Sequence, residues 1–204
     1  MAREPKNFDH LLGGNAKGLS DTQLKAHFTL YQGYVKKLNE IREKLGTADR
    51  SAPNYSFNEY SELKRREPVA YNGTVLHEMY FENIGNGSTQ ASDYTKGLIT
   101  HSFGSMDAWL ADAKASLLSA HGWLVTVFDY SDGKLYNNLV RTEHDVGLFA
   151  NVHAMIAIDV WEHAYFFDYQ TGKAKYVEAV LSGLNWDTIN ARFAMLQGHE
   201  AKAK

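Results

Sequence analysis

A long stretch of helical periodicity governs how the first part of this chain can fold. Across residues 19–45, apolar side chains recur every three or four positions, the spacing that gathers them on one face of an α-helix. Ser20 is the predicted N-cap, Gln23 its predicted capping-box partner, and Gly46 the predicted stop. The pattern therefore predicts one long helix with an apolar face that the rest of the fold has to cover.

A second helix is predicted at residues 74–84, which are apolar on one helical face. Residues 46–68 are interpreted as the connection between the two helices, because they contain Pro53, Pro68 and several Asn and Ser residues. The charged patch at 62–67 is predicted to form a turn or more of solvated helix rather than a binding site. Two long helices joined by a loop indicate an αα-hairpin.

The segment Gly85-Asn86-Gly87-Ser88 breaks the helical pattern and marks a predicted domain boundary. Residues 1–88 are therefore predicted to form an N-terminal helical hairpin domain. Residues 89–204 are predicted to form a C-terminal α/β domain with an antiparallel sheet.

The second domain is predicted to combine helices with a small sheet. Residues 102–118 are helical in pattern, with Ser105 or Asp107 as the N-cap. Three runs rich in β-branched and aromatic residues follow, and a turn joins the first two as a hairpin; they lie at 123–130, 134–143 and 153–161. Helical patterns return after the third run. Helices segregated around a small antiparallel sheet indicate an α+β fold.

The side-chain inventory limits the chemistry. With no cysteine among its 204 residues, the chain can hold no disulfide, thiolate metal site, iron–sulfur cluster or cysteine nucleophile. It does contain nine histidines. Any metal would therefore be bound by His, Asp, Glu or backbone oxygen.

The charge and hydropathy patterns exclude two classes of partner. The 21 basic and 24 acidic residues give a net charge of −3 and form no basic block, which argues against electrostatic binding of nucleic acid. No apolar stretch reaches the roughly 18 residues that a spanning helix needs. The polar N-terminus lacks the apolar run of a secretory signal. The sequence predicts a cytoplasmic protein with no membrane or nucleic-acid partner.

Four residues are candidate metal ligands. His27 and His77 lie in the two predicted helices, whereas Asp159 and His163 are four residues apart near the third β-run. A single helical His is more often a packed residue, and Asp-x-x-x-His is a weak pattern. However, Asp159 ends the apolar run 155–158, and burying a carboxylate is costly unless it is paired or bound to a cation. Three imidazoles with one carboxylate suit iron, manganese or zinc.

Four short motifs then point to a family. They occur in the order YVKKLN at 34–39, HEMYFEN at 77–83, FGSMD at 103–107 and DVWEHAY at 159–165. Together they resemble the iron/manganese superoxide dismutases, and DVWEHAY is the most specific of the four. The resemblance extends over about residues 19–196, which is most of the chain.

The resemblance implies a fold and an activity. The family fold is an N-terminal helical hairpin followed by an α/β domain with a three-stranded antiparallel sheet, and one metal ion lies between the two domains. The implied ligands are His27, His77, Asp159 and His163, completed by a solvent molecule. The implied enzyme is an antioxidant oxidoreductase that converts superoxide to O2 and H2O2 while one iron or manganese ion per subunit cycles between two oxidation states.

The resemblance also implies residues around the metal. Tyr34 is expected to guard the substrate funnel and support proton delivery. In the family, a glutamine usually holds the solvent ligand. In iron forms it lies four residues before the second ligand histidine, where this chain has Gly73, as manganese forms do. In manganese forms it comes from the second domain, where this chain has His144. The alternative for His144 is an ordinary loop histidine. Of the two metals, iron is favoured over manganese as the bound ion.

The residues implied to lie around the ligands and at the subunit interface are Trp161, Glu162, Tyr165, Phe166 and His121. Trp161 is expected to wall the pocket, and His121 stands where the family has a tryptophan, so it either lines the pocket or packs. Glu162 is expected to contact the ligand histidine of a second subunit. This contact implies a homodimer, with a tetramer as the alternative.

Two departures affect the pocket. His27 precedes Tyr34 by seven residues instead of the usual eight, so either the helix adjusts locally or Tyr31 or Val35 takes part of the role of Tyr34. Tyr31 stands where the family often has a gate histidine, and Phe166 stands where it has a tyrosine. We hypothesise that Tyr31, as a further catalytic residue, supplies the hydroxyl that position 166 lacks.

Two other functions compete with this interpretation. A non-haem iron oxygenase would use two His and one carboxylate, but it normally needs a β-barrel, which the predicted hairpin contradicts. A metal-binding paralogue with little or no dismutase activity is suggested by the unusual Tyr31, His121 and His144. Such a paralogue would retain metal without consuming superoxide.

Overall fold

The computed structural model describes residues 2–198. Residues 2–8 have no regular secondary structure, and a short 3-10 turn, Asp9–Leu11, follows them. Two antiparallel helices come next, α1 (Asp21–Thr47) and α2 (Glu59–Asn83). The hydroxyl oxygen of Ser20 accepts a hydrogen bond from the Gln23 amide at 3.1 Å, which confirms the predicted N-cap of α1. The predicted αα-hairpin is therefore present.

Helix α2 is much longer than predicted. It begins after Asn58, whose side chain accepts from the Ser61 amide at 3.1 Å, and it continues through Pro68. The prediction of a connection up to Pro68 was wrong. A proline inside a helix costs about 3 kcal/mol through its missing N–H and its steric clash. Burial of Ala70 and Leu63 against α1, on either side of the proline, offsets that cost.

The helical region predicted at 102–118 corresponds to α4 (Met106–Ser119), and α3 (Asp93–Phe103) precedes it. The chain turns between them at Gly104, whose φ of 89° lies in a region that glycine adopts easily. Ser105 is the N-cap of α4, since its hydroxyl accepts from the Ala108 amide at 3.0 Å. The predicted helix and its cap at Ser105 are therefore present, whereas α3 was not predicted.

The sheet has three strands, β1 (Trp123–Asp129), β2 (Lys134–Val140) and β3 (Val152–Asp159). All pairings are antiparallel and the strand order is β2-β1-β3, so β1 lies in the middle. Trp123 pairs with Asp159, which brings the start of β1 beside the end of β3. The predicted α+β fold with a three-stranded antiparallel sheet is confirmed.

Five further elements complete the part of the chain that the structure describes. They are α5 (Thr142–Asp145), a 3-10 turn (Glu162–Ala164), α6 (Phe166–Tyr169), α7 (Lys173–Ser182) and α8 (Trp186–Ala194). A continuous hydrophobic core runs from the hairpin, for example Phe28 and Phe81, to the sheet, for example Trp123 and Ile158. The division at residue 88 stays a prediction. Within residues 2–198, no helix is both long enough and apolar enough to cross a bilayer.

Candidate metal centre

Four separate elements bring the candidate ligands together. His27 comes from α1, His77 from α2, Asp159 from the last position of β3, and His163 from the 3-10 turn that follows. One ligand atom from each lies within 4.8 Å of all the others. The site therefore lies where the hairpin meets the edge of the sheet.

The separations between these atoms fit one bound ion. Asp159 Oδ2 lies 3.1 Å from His163 Nε2, 3.2 Å from His27 Nε2 and 3.7 Å from His77 Nε2. Metal–ligand bonds of about 2.1 Å set ligand atoms roughly 3.0 Å apart at 90° and roughly 3.6 Å apart at 120°. The carboxylate oxygen is therefore close enough to each imidazole to share one first-row metal ion with it.

Hydrogen bonds orient the ligand atoms toward that point. His77 Nδ1 donates to the Gly73 carbonyl at 2.5 Å, which leaves Nε2 facing the cluster. Asp159 Oδ1 accepts from the Trp161 amide at 2.8 Å, which leaves Oδ2 facing it. Among residues 2–198, the buried Nε2 atoms of His27 and His77 have no hydrogen-bond partner, an arrangement that proteins rarely tolerate without a ligand.

The electrostatics also suit a cation. Burial lowers the pKa of His27 and the pKa of His77, so both imidazoles stay neutral at pH 7. Burial alone would raise the pKa of Asp159, but the adjacent His163 and His27 outweigh it and hold that pKa below its usual range. Neutral imidazoles and an ionised carboxylate are the protonation states that a metal requires.

His144 is buried beside the cluster and is not a surface loop residue. Its Nδ1 lies 2.8 Å from Trp123 Nε1, and its Nε2 lies 2.7 Å from the Tyr34 hydroxyl. Its ring is 6.0 Å from the His77 ring. The site thus contains a continuous hydrogen-bonded row from β1 through His144 to α1.

Tyr34 reaches His144 without any adjustment of α1. The helix is regular from Asp21 to Thr47. Seven residues fall about 20° short of two full turns, so His27 and Tyr34 share one face. Gly73 makes room for the ring, because a Cβ at that position would lie 2.5 Å from Tyr34 Cδ1. Val35 is buried in the core and takes no part in the row.

Tyr31 directs its hydroxyl elsewhere. Its ring lies 6.5 Å from the His77 ring, but its hydroxyl donates to Glu78 Oε1 at 2.8 Å and accepts from the Lys6 amide at 2.9 Å. Glu78 also pairs with Arg3 at 2.6 Å. The structure does not bring this hydroxyl to the cluster, and its expected contact with position 166 of a second subunit stays a prediction.

The remaining predicted residues lie on the outer side of the site. Trp161 has its ring 6.0 Å from that of His144, and the exposed His121 lies edge-on to Trp161 at 4.6 Å. Glu162 is exposed, and Phe166 is 49% exposed. Tyr165 is buried, with its ring stacked on Tyr176.

Sequence reasoning missed the role of Gln23. Its side-chain amide donates to the His163 carbonyl at 2.5 Å and accepts from the Phe167 amide at 3.1 Å. The predicted capping box was therefore wrong, because the Gln23 side chain does not accept from the Ser20 amide. That amide donates to Asp168 Oδ2 at 2.7 Å instead. No local pattern could reveal the role of Gln23, because its partners lie more than 100 residues away in the chain.

Comparisons with known proteins agree with this geometry. The family model described as iron/manganese superoxide dismutases, C-terminal domain, matches residues 91–192. An iron superoxide dismutase of Aquifex pyrophilus is 39% identical over 195 residues, covering 93% of this chain and 90% of that protein. An iron superoxide dismutase of Cupriavidus metallidurans is 34% identical over 87% of this chain and 89% of its own. A manganese superoxide dismutase of Haloferax volcanii is 32% identical over 82% of each chain.

The family model covers the sheet and the helices around it, and the relatives extend the match across the hairpin. The fold, the motif order and the similarity over most of the length therefore lead to the same assignment. The chain belongs to the iron/manganese superoxide dismutase family.

Proposed function

We propose that the protein is a superoxide dismutase. Two superoxide anions and two protons would be converted to one O2 and one H2O2, so one anion is oxidised and the other is reduced. The observation that carries the proposal is the convergence of three imidazole Nε2 atoms on Asp159 Oδ2 within a buried site. The family membership supports the same reaction.

In this proposal His27, His77, Asp159 and His163 hold one iron or manganese ion per chain. When bound, the ion supplies one-electron redox chemistry. Iron is favoured because the relatives at 39%, 38% and 34% identity are named as iron enzymes. Gly73 argues in the opposite direction, because the same position is glycine in manganese forms.

His144 would hold a proton beside Tyr34. Trp123 Nε1 can only donate, so His144 Nδ1 must accept its hydrogen bond. Burial lowers the pKa of His144, and the neutral ring therefore carries its proton on Nε2 and donates it to the Tyr34 oxygen.

The proton of the Tyr34 hydroxyl is then free to point away from His144. Burial raises the pKa of Tyr34, which keeps that hydroxyl protonated at neutral pH. We assign to Tyr34 the transfer of a proton to the reduced superoxide, and to His144 the orientation of the hydroxyl and its resupply.

A groove between α1 and α2 supports an approach route for the anion. Its volume is about 360 Å³, and Tyr34 lines it together with Lys37, Lys44 and Arg66. Glu40 and Glu62 also line it, so the local excess of positive charge is small. We expect this groove to steer superoxide weakly, and the effect to fade with added salt.

Assembly as a homodimer is part of the proposal. The side chain of His163 is 32% exposed, whereas the other three candidate ligands are almost completely buried. Glu162, Phe166 and Phe167 are exposed beside it. A second subunit covering this side would place the partner's Glu162 behind His163 and bury both phenylalanines. A tetramer and the cytoplasmic location stay predictions.

One experiment tests the proposed function. The purified protein is analysed for metal, stripped, reloaded separately with iron and with manganese, and assayed for superoxide consumption. We expect stoichiometric metal and rapid consumption with iron. If the protein keeps its metal but consumes superoxide with neither iron nor manganese, it is instead the inactive metal-binding paralogue.

A further inference from the structure

The loop that presents His144 has an unfavourable backbone. Thr142, Glu143 and His144 have φ values of 24°, 54° and 67°, in the left-handed region that residues other than glycine rarely adopt. Three consecutive residues of this kind persist only where surrounding contacts hold them. Of the residues in this loop, Thr142, Glu143 and Asp145 are exposed, so those contacts have to come from the buried His144 ring and from hydrogen bonds to the loop.

Two side chains of α2 contact this loop. Asn72 Nδ2 donates to the backbone carbonyl of His144 at 2.9 Å. Arg66 Nη1 donates to Glu143 Oε2 at 2.6 Å. The helix that carries His77 therefore also holds the loop that carries His144.

The two contacts are not equal in strength. The side chains of Arg66 and Glu143 are 52% and 53% exposed, and ion pairs at such sites contribute little because water and salt screen them. Asn72 is half-buried and bonds the carbonyl of His144 itself. It is therefore the stronger support of the left-handed conformation.

The imidazole tolerates little displacement. Its two nitrogens are bonded to Trp123 on β1 and to Tyr34 on α1, at 2.8 Å and 2.7 Å. Because the ring is rigid, a backbone shift of His144 breaks at least one of these bonds. If the Trp123 bond breaks, the tautomer is no longer fixed, and if the Tyr34 bond breaks, the hydroxyl loses its proton donor.

We propose that Asn72 is a positioning residue for proton delivery. By holding the carbonyl of His144, it keeps the Nε2–H of that ring on the Tyr34 oxygen. Asn72 acts through His144 and contacts neither metal nor superoxide. This inference rests on the proposed dismutase function, in which Tyr34 supplies the proton.

The test compares Asn72→Ala with a matched control, Asn39→Ala. Asn39 is also a half-buried helical asparagine whose amide donates to a backbone carbonyl at 2.9 Å, but its partner is Arg3. A third variant, Asn72→Asp, keeps the shape of the side chain and cannot donate while ionised. It separates loss of the hydrogen bond from loss of packing and replaces Asn72→Ala if that variant does not fold.

Three readouts are taken on the metal-loaded enzyme. We expect Asn72→Ala and Asn72→Asp to keep their metal and to lose kcat on the order of 10- to 100-fold, as displaced catalytic groups do. We expect kcat/KM to change much less, because proton delivery limits turnover at high superoxide concentration. Backbone amides 142–146 should exchange with deuterium faster than in the parent protein, and Asn39→Ala should match the parent in all three readouts.

Other results would overturn the inference. If Asn72→Ala matches Asn39→Ala in kcat and in exchange, Asn72 does not position His144. If it loses metal, its role is to support the site as a whole. If the parent enzyme consumes no superoxide with iron or manganese, the proposed function fails and the kinetic half of the inference fails with it, whereas the exchange readout still decides whether Asn72 holds the loop.

Discussion

The metal centre has an inner side and an outer side, and the chain builds them differently. On the inner side, the side chains of His27, His77 and Asp159 are at most 1% exposed. On the outer side, that of His163 is 32% exposed, and Phe167 nearby is 65% exposed. One polypeptide thus completes the inner side alone and leaves the outer side open to water.

This difference separates two requirements. The inner side fixes the positions and protonation states of three candidate ligands by packing and hydrogen bonds within the chain. The outer side depends on Gln23, which holds the His163 carbonyl from α1, and on whatever covers the ring. We therefore expect loss of an inner-side ligand to abolish metal binding, and loss of an outer-side contact to weaken it.

The largest effect is expected from Asp159→Ala on the inner side. Oδ2 of Asp159 is the atom around which the three imidazoles gather, so its removal leaves them without the one anionic ligand. We expect almost no bound metal by elemental analysis and no measurable dismutation. Asp168→Ala is the control, since that exposed carboxylate bonds only the Ser20 amide among the contacts described. Full metal content in Asp159→Ala would contradict the proposed set of ligands.

A smaller effect is expected from Glu162→Ala on the outer side. Loss of a carboxylate behind a ligand histidine typically weakens metal binding about 10- to 100-fold. We expect this weakening together with dissociation of the dimer at low protein concentration, measured by light scattering after size-exclusion chromatography. Glu178→Ala removes an exposed carboxylate elsewhere and should change neither property. An unchanged dimer with unchanged metal affinity would contradict the proposed interface.

Gly73→Ala tests how tightly the inner side is packed. The added methyl would lie 2.5 Å from Tyr34 Cδ1, so the ring has to move away from His144. Overpacking of this kind costs about 1–3 kcal/mol, and we expect a lower free energy of unfolding and a lower kcat with metal retained. Gly97→Ala in α3 is the control, because among the described residues nothing beyond its chain neighbours and its own helix backbone lies within 4 Å of the added Cβ. Equal behaviour of the two variants would mean that Tyr34 has more room than its contacts indicate.

The smallest effect is expected from Tyr31→Phe. The buried hydroxyl donates to Glu78 and accepts from the Lys6 amide, and losing each such bond costs about 1 kcal/mol. We expect chemical denaturation to show this loss of stability. We expect activity to stay within about twofold of the parent, because the hydrogen bonds from Trp123 through His144 to Tyr34 are intact. Tyr136→Phe, which removes an exposed hydroxyl bonded to Asp132, should change neither quantity. A large loss of activity in Tyr31→Phe would instead favour its sequence-based assignment as the missing interface hydroxyl.

The sequence predicted elements whose signals are local. The periodicity of α1, the hairpin of β1 and β2, and the apolar run before Asp159 each depend on neighbouring residues, and the structure contains all three. The order of the four motifs indicated a family, and the comparisons confirm that family. Of the four candidate ligands, His27 and Asp159 lie on these elements, whereas His77 lies on the longer α2 and His163 on a 3-10 turn that was not predicted.

The errors have a common physical origin in contacts between distant segments. Pro68 would end an isolated helix, but packing against α1 continues it. The side chain of Gln23 bonds His163, 140 residues away, instead of its own helix terminus. The left-handed turn at Glu143 and His144 carries no glycine or asparagine that would have indicated it. Each of these features is decided by a partner that a local pattern does not contain.

The seven-residue interval between His27 and Tyr34 determines which helices this chain could exchange with its relatives. Each helical residue advances the side-chain direction by about 100°, so a segment with the family's usual eight-residue interval would turn its tyrosine away from His144. A single π-bulge can absorb the additional residue. In a chimera, the segment between these two positions must therefore be transplanted whole, whereas a junction beyond Tyr34 leaves the register of the site intact.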